Sequence, residues 1–227
     1  MHNTQTLQKP VQTLAGTLHQ WILLSSCFSF LLLTGRIMVT GELNYLFLPW
    51  NLFLAYIPYW ITRQMYNHPD SFKNNVKKYL ALASWLLFVP NSFYIITDLF
   101  HLTHIDSAPK WFDLLLIFSF AWNGILFGII SLYRVEQLIS FKYRKGFAEI
   151  FIFMIMWLNA FGVYIGRYLR FNSWDIITNP VSLFGEIINM IIHPLQNGSA
   201  WGMTLCYTIF MTLLYLMIKK MSEIFRQ

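Results

Sequence analysis

Asp98 and His101 stand three residues apart in the segment FVPNSFYIITDLFHLTHID, residues 88–106. On a helix that spacing puts both side chains on one face. A carboxylate next to an imidazole orients the ring and raises its basicity, which suits general-base work near neutral pH. The competing role for such a pair is ordinary hydrogen bonding at a helix end. Asn91, Tyr94 and Asp98 follow at spacings of three and four, so Asn91 and Tyr94 are candidate substrate-binding groups beside a catalytic Asp98. Pro90 removes a backbone donor within an apolar run, which predicts a kink there. Asp98, His101 and His104 recur every three residues, a run open to metal ligation. It drifts around an α-helix and lacks a His-Glu-x-x-His pattern, so no metal is assigned and the cofactor is left unknown.

Two further segments carry chemistry. In APKWFDLLLIFSFAWNG (108–124), Asp113 opens an apolar run, where a carboxylate complements a helix N-terminus. As a catalytic candidate it has to face Asp98. In GVYIGRYLRFNSWD (162–175), Arg167 and Arg170 are three apart, and on one helix face their guanidinium forks suit a phosphate or carboxylate. Asn172 and Trp174 are candidate binding residues beside them, and Asp175 a third candidate catalytic carboxylate. The arginines serve equally to neutralise Asp98, Asp113 and Asp175 in a structural network.

Apolar spans must hold these residues. The chain of 227 residues is 56% hydrophobic and 19% aromatic, with mean hydropathy +0.49. A soluble domain does not bury that much apolar surface. Six stretches reach membrane-crossing length, about 20–40, 44–62, 79–100, 111–133, 147–168 and 201–218. The expected fold is an all-α polytopic membrane bundle of about six transmembrane helices. Tails at 1–19 and 219–227 flank a single membrane domain at 20–218. The first run lacks a small-x-small cleavage site and reads as an uncleaved span. Residues 172–200 contain VSLFGEIINMIIHP, whose apolar positions recur at helical spacing over too short a length to span, which predicts an interfacial helix on the outer side.

Twelve of the 16 basic residues fall in the segments that an N-in, C-in arrangement places inside, which predicts both termini in the cytoplasm of a cell membrane. Arg36, Lys110, Arg167 and Arg170 remain outside with Asp98, Asp113 and Asp175. The net charge of +6 does not indicate nucleic acid, because the cations flank spans instead of forming a soluble basic stripe. Membrane lipids are the expected partners. Cys27 and Cys206 lie within apolar runs, as packing residues and not a disulfide framework. Asn51, Asn91, Asn123 and Asn159 sit near mid-segment, where they tie helices together or line a polar path. Gly124/Gly128 and Gly162/Gly166 have the spacing of close helix contacts.

The chain resembles an uncharacterised bacterial family of multi-pass membrane proteins, a domain of unknown function. The resemblance rests on Phe88, Pro90, Asn91, Tyr94, Thr97, Asp98, Leu99, His101 and Leu102, on Trp111, Phe112, Asp113 and Leu114, and on Gly166, Arg167, Arg170, Asn172, Ser173, Trp174 and Asp175. WNLFLAYIP (50–58) adds a second-span pattern. It covers roughly residues 40–218 and implies an integral membrane protein without implying an activity. Three functions remain open. The first is an envelope hydrolase or transferase acting on an anionic lipid or lipid-linked headgroup at the outer face. The others are a transporter or transporter component, and an assembly or interaction protein.

Overall fold

The computed structural model describes residues 4–103, 108–140 and 145–224. Its helices are α1 (Thr4–Thr40), α2 (Phe47–Asn67), α3 (Asn75–Tyr94), α4 (Lys110–Ser140), α5 (Lys145–Tyr168), the single turn α6 (Asp175–Thr178), α7 (Pro180–Ile192) and α8 (Gly198–Ile224). Among the described residues there is no strand. His104 and Asp106 lie outside the described residues, as do Lys142, Arg144 and Arg226.

Among the described residues, five stretches are long and apolar enough to cross a membrane: Leu18–Thr40, Asn75–Leu102, Lys110–Ser140, Gly146–Tyr168 and Gly198–Ile224. The expected second span corresponds to α2, which has the length but not the hydropathy. Trp, Tyr, Pro and Asn side chains dilute its aliphatic content. It is nevertheless central, with Leu48, Leu52, Ala55, Tyr59 and Thr62 buried.

The most enclosed span is α4. One side of it joins α1 and α2 in a core of Leu48, Leu52, Tyr59, Leu116, Ile117, Phe120 and Phe127. Its other side joins α3, α5 and α8 around Trp85, Val89, Phe93, Leu132, Met156 and Met211. Glycine makes the α3 contacts possible. A methyl on Gly124 would lie 2.7 Å from Ile95 Cγ2, and one on Gly128 2.8 Å from Ser92 Cβ. Gly162 and Gly166 of α5 hold Pro90 and Tyr94 in the same way from the other side. The stretch 90–95 is thus clasped between two glycine-bearing helices.

Helix α3 continues through Pro90 to Tyr94, and the chain then tightens into a 3₁₀ helix over Ile95–Thr103. The expected disruption at Pro90 therefore appears as a change of helix type one turn later. Nine residues is long for this conformation, which rarely exceeds three or four. Helix α7 is 13 residues long. It buries Leu183 and Met190 while Val181, Phe184, Ile188, Ile191 and Ile192 remain exposed. That pattern is what a helix lying along an apolar interface requires. Cys27 and Cys206 both face outward, so they are not core packing residues as expected.

Candidate functional site

The C-terminal ends of α1, α3 and α5 meet the N-terminal ends of α2 and α4 at one end of the bundle. Two buried carboxylates occupy that rim in different surroundings. Asp113 Oδ1 accepts from Arg36 Nε at 2.7 Å, and Oδ2 from Arg36 Nη2 at 3.3 Å. Both side chains are 1% exposed. The Tyr45 hydroxyl donates to Asp113 Oδ2 at 3.2 Å, and the Arg36 guanidinium lies over the Tyr45 ring, 4.4 Å from its centroid. Asp113 is therefore engaged by a bidentate fork and a phenol, and no bond between it and Asp98 is present.

Asp98 is equally buried but has no ion-pair partner within bridging distance among the described residues. Asn51 Nδ2 donates to its Oδ2 at 2.7 Å. Arg167 contributes electrostatically from a greater distance. Arg167 Nη1 meets His101 Nε2 at 3.2 Å, and its guanidinium lies 5.2 Å from the centre of the Phe100 ring. The His101 ring packs on Phe47 at 4.8 Å. Because side chains three apart eclipse in a 3₁₀ helix, Asp98 and His101 project from one side of their segment, as their spacing suggested for an α-helix.

The arginine pair separates. Helix α5 ends at Tyr168, and Arg170 adopts φ 60°, the left-handed conformation that commonly terminates helices. Phe171 N–H turns back to the Ile165 carbonyl. Arg170 thus leaves the helical face of Arg167, so the two forks do not project together; it is exposed and makes no hydrogen bond or ion pair among the described residues. Asp175 is half-buried and stabilises its own loop. It accepts from the Asn172 backbone N–H at 2.6 Å and from the Thr178 hydroxyl at 2.8 Å. The first of these contacts, followed by the second, holds its carboxyl below the ordinary carboxylate range.

A cleft of about 270 Å³ borders Asn51, the partner of Asp98, while Asp98, His101 and Arg167 are not among the residues that line it. Asn51, Asn91, Tyr94, Asn172 and Ser173 supply its polar wall, while Trp50, Leu86, Leu87, Ile165, Phe171, Leu183 and Ile187 supply the apolar one. Asn91 Nδ2 donates to the Phe88 carbonyl at 3.0 Å and to Ser173 Oγ at 2.9 Å, and Ser173 donates to the Leu87 carbonyl. These bonds fasten the 171–174 loop to α3. Trp174 packs edge-on against Trp50, 6.3 Å between rings. Asn123 and Asn159 lie elsewhere. Asn123 binds Ser29 and the Ser119 carbonyl, and both amide atoms of Asn159 are buried without a partner. The four asparagines do not form one path through the bundle.

The sequence reading missed Arg36 and Tyr45 as partners of Asp113, and Asn51 as the partner of Asp98. Each bond joins residues far apart in the chain, and no local spacing announces it. Among the described residues, no three His, Cys, Asp or Glu side chains converge as metal ligands. A larger depression of about 440 Å³ along α1, lined by Trp21, Leu24, Phe28 and Leu31, is almost wholly apolar and has little to orient a ligand.

The apolar helices and this rim define an all-α integral membrane protein. Residues 50–214 match the family described as "Protein of unknown function (DUF1361)", and the chain belongs to that family. No curated protein and no solved structure matches the chain significantly.

Proposed function

We propose that this protein binds the polar headgroup of a lipid or lipid-linked molecule in the rim cleft, on the outer face of a cell membrane with both termini cytoplasmic. The observation that carries this reading is the two-sided wall of the cleft. Amides, a phenol and a hydroxyl line it together with leucine, isoleucine and phenylalanine, and α7 contributes Leu183 and Ile187 while its other face is exposed and apolar. An amphiphile entering from the bilayer matches both halves. Asn51, Asn91, Tyr94 and Asn172 hold the headgroup, Trp174 with Trp50 borders it, and Arg170 reaches an anionic group from the loop.

Hydrolysis or transfer of that headgroup is the reaction class that the adjoining charged group fits. Asp98 and His101 provide acid–base capacity, and Arg167 orients His101 and offsets developing negative charge. Asp113 and Asp175 support the rim in this reading.

The test incubates purified protein with a total membrane-lipid extract and follows bound and converted lipids by mass spectrometry. The wild type enriches a headgroup class that N51A/N91A releases. D98N keeps the lipid and stops its conversion. Absence of enrichment in the wild type removes the binding assignment, and conversion persisting in both D98N and H101Q removes the catalytic one.

A further inference from the structure

The opposite end of the bundle holds a basic constellation that the rim cleft does not use. His19 of α1 lies between Tyr59 and Arg63 of α2. Its Nδ1 is 2.9 Å from the Tyr59 hydroxyl, and its Nε2 is 2.7 Å from Arg63 Nη1. Since the arginine only donates, Nε2 accepts and the ring is neutral, with its proton on Nδ1 toward Tyr59. Arg134 of α4 completes the group. Its guanidinium lies 4.6 Å from the centre of the Tyr59 ring, and Nη1 donates to the Tyr59 carbonyl at 3.2 Å. Tyr59 itself is 1% exposed, so both arginines are folded against the bundle and do not extend into solvent. They lie within electrostatic reach of each other and of His19.

Among the described residues, no carboxylate pairs with them. At this end Asp70 pairs with Lys73, Glu136 with Lys219, and Glu223 with Lys220, while Glu149 acts on Lys220. Residues 1–17, 141–145 and 225–227 contain no Asp or Glu at all. Two half-buried, convergent guanidinium groups without a counter-charge are an arrangement that an anion completes. Helix-end dipoles favour cations here too, but they act on a charge and do not require one fork held by His19 and another laid on Tyr59.

We infer that His19, Arg63 and Arg134 form an anion site that takes a phosphate group, supplied by an anionic phospholipid of the adjoining leaflet or by free phosphate. Full-length protein is placed in nanodiscs of phosphatidylcholine with or without phosphatidylglycerol. Lipid retention is read by native mass spectrometry, and thermal unfolding is measured with and without inorganic phosphate. The wild type retains phosphatidylglycerol preferentially, and R63Q/R134Q weakens that retention at least about tenfold. K77Q/K78Q, which removes two exposed cations from the same end, retains it as the wild type does. Stabilisation by inorganic phosphate without lipid preference assigns the site to a soluble phosphate.

The proposal fails if the wild type shows neither lipid preference nor phosphate stabilisation, or if both glutamine pairs lose binding equally. R63K/R134K keeps the charges and drops the planar forks, so it provides a milder variant should the glutamine pair not fold. Retention equal to wild type in that variant reduces the effect to bulk charge and also overturns the site.

Discussion

Asp113 and Asp98 sit on the same rim, equally hidden from solvent, yet their partners differ in kind. Asp113 is neutralised by Arg36 through two bonds and steadied by Tyr45. Asp98 has one neutral amide from Asn51 and a more distant guanidinium. A buried carboxylate with its own bidentate cation is a fastening, because its charge is already spent on the fold. One held by a neutral amide has no cation of its own to spend its charge on, the condition under which a buried acid serves chemistry. The contrast assigns support to one acid and reactivity to the other.

The sharpest way to break this comparison is to remove one charge from the fastening. D113N leaves the buried Arg36 with only the longer, partly exposed Glu42 contact at 3.8 Å and is expected to cost about 3 kcal/mol of unfolding free energy, measured by denaturant titration in detergent. A loss below about 1 kcal/mol would mean that the pair does not hold the rim. The reactive side is perturbed by G124A, whose new methyl would lie 2.7 Å from Ile95 Cγ2, where the 3₁₀ segment begins. That substitution is expected to cost about 1–3 kcal/mol and to weaken cleft binding along with stability. D98N is the complement of D113N: its stability is expected within about 1 kcal/mol of wild type, because no buried cation loses its partner. Equal destabilisation by D98N and D113N would erase the distinction.

Smaller effects refine it. R170G relieves a left-handed residue that carries a Cβ, so stability stays level or rises by up to about 1 kcal/mol, while binding of an anionic headgroup weakens. Unchanged headgroup affinity would release Arg170 from the site. The last test concerns acid. Asp175 is held below its ordinary range by bonds to Asn172 and Thr178. A carboxyl depressed in the folded state contributes stability fully above its unfolded value and loses it as pH falls through the folded one. Hydrogen exchange in the 172–178 loop should therefore accelerate only below about pH 4, and D175N should remove that dependence.

Much of the architecture was readable in the sequence because membrane insertion imposes long apolar runs. α4 and α5 follow from length and hydropathy alone, and α7 from helical spacing over too few residues to cross. Composition describes α2 less well, since Trp, Tyr, Pro and Asn dilute its aliphatic content, whether buried like Pro58 and Tyr59 or exposed like Trp50 and Trp60. The rim was legible as a set of motifs but not as a set of bonds. Spacing put Asp98 and His101 on one side of their segment, a placement that α and 3₁₀ forms share, but it did not give their separate partners, Asn51 and Arg167. It failed for Arg167 and Arg170, because the helix stops between them. The Arg36–Asp113 pair spans 77 positions, and only tertiary packing creates it.

The 3₁₀ segment has one mechanical consequence. A 3₁₀ helix rises about 2.0 Å per residue and an α-helix about 1.5 Å. Rewinding Ile95–Thr103 into the wider coil would draw the segment in by roughly 4–5 Å. It would also turn residue 101 by about 60° relative to residue 98. A modest screw motion in this one stretch would carry the imidazole off the Phe47 ring and away from Arg167.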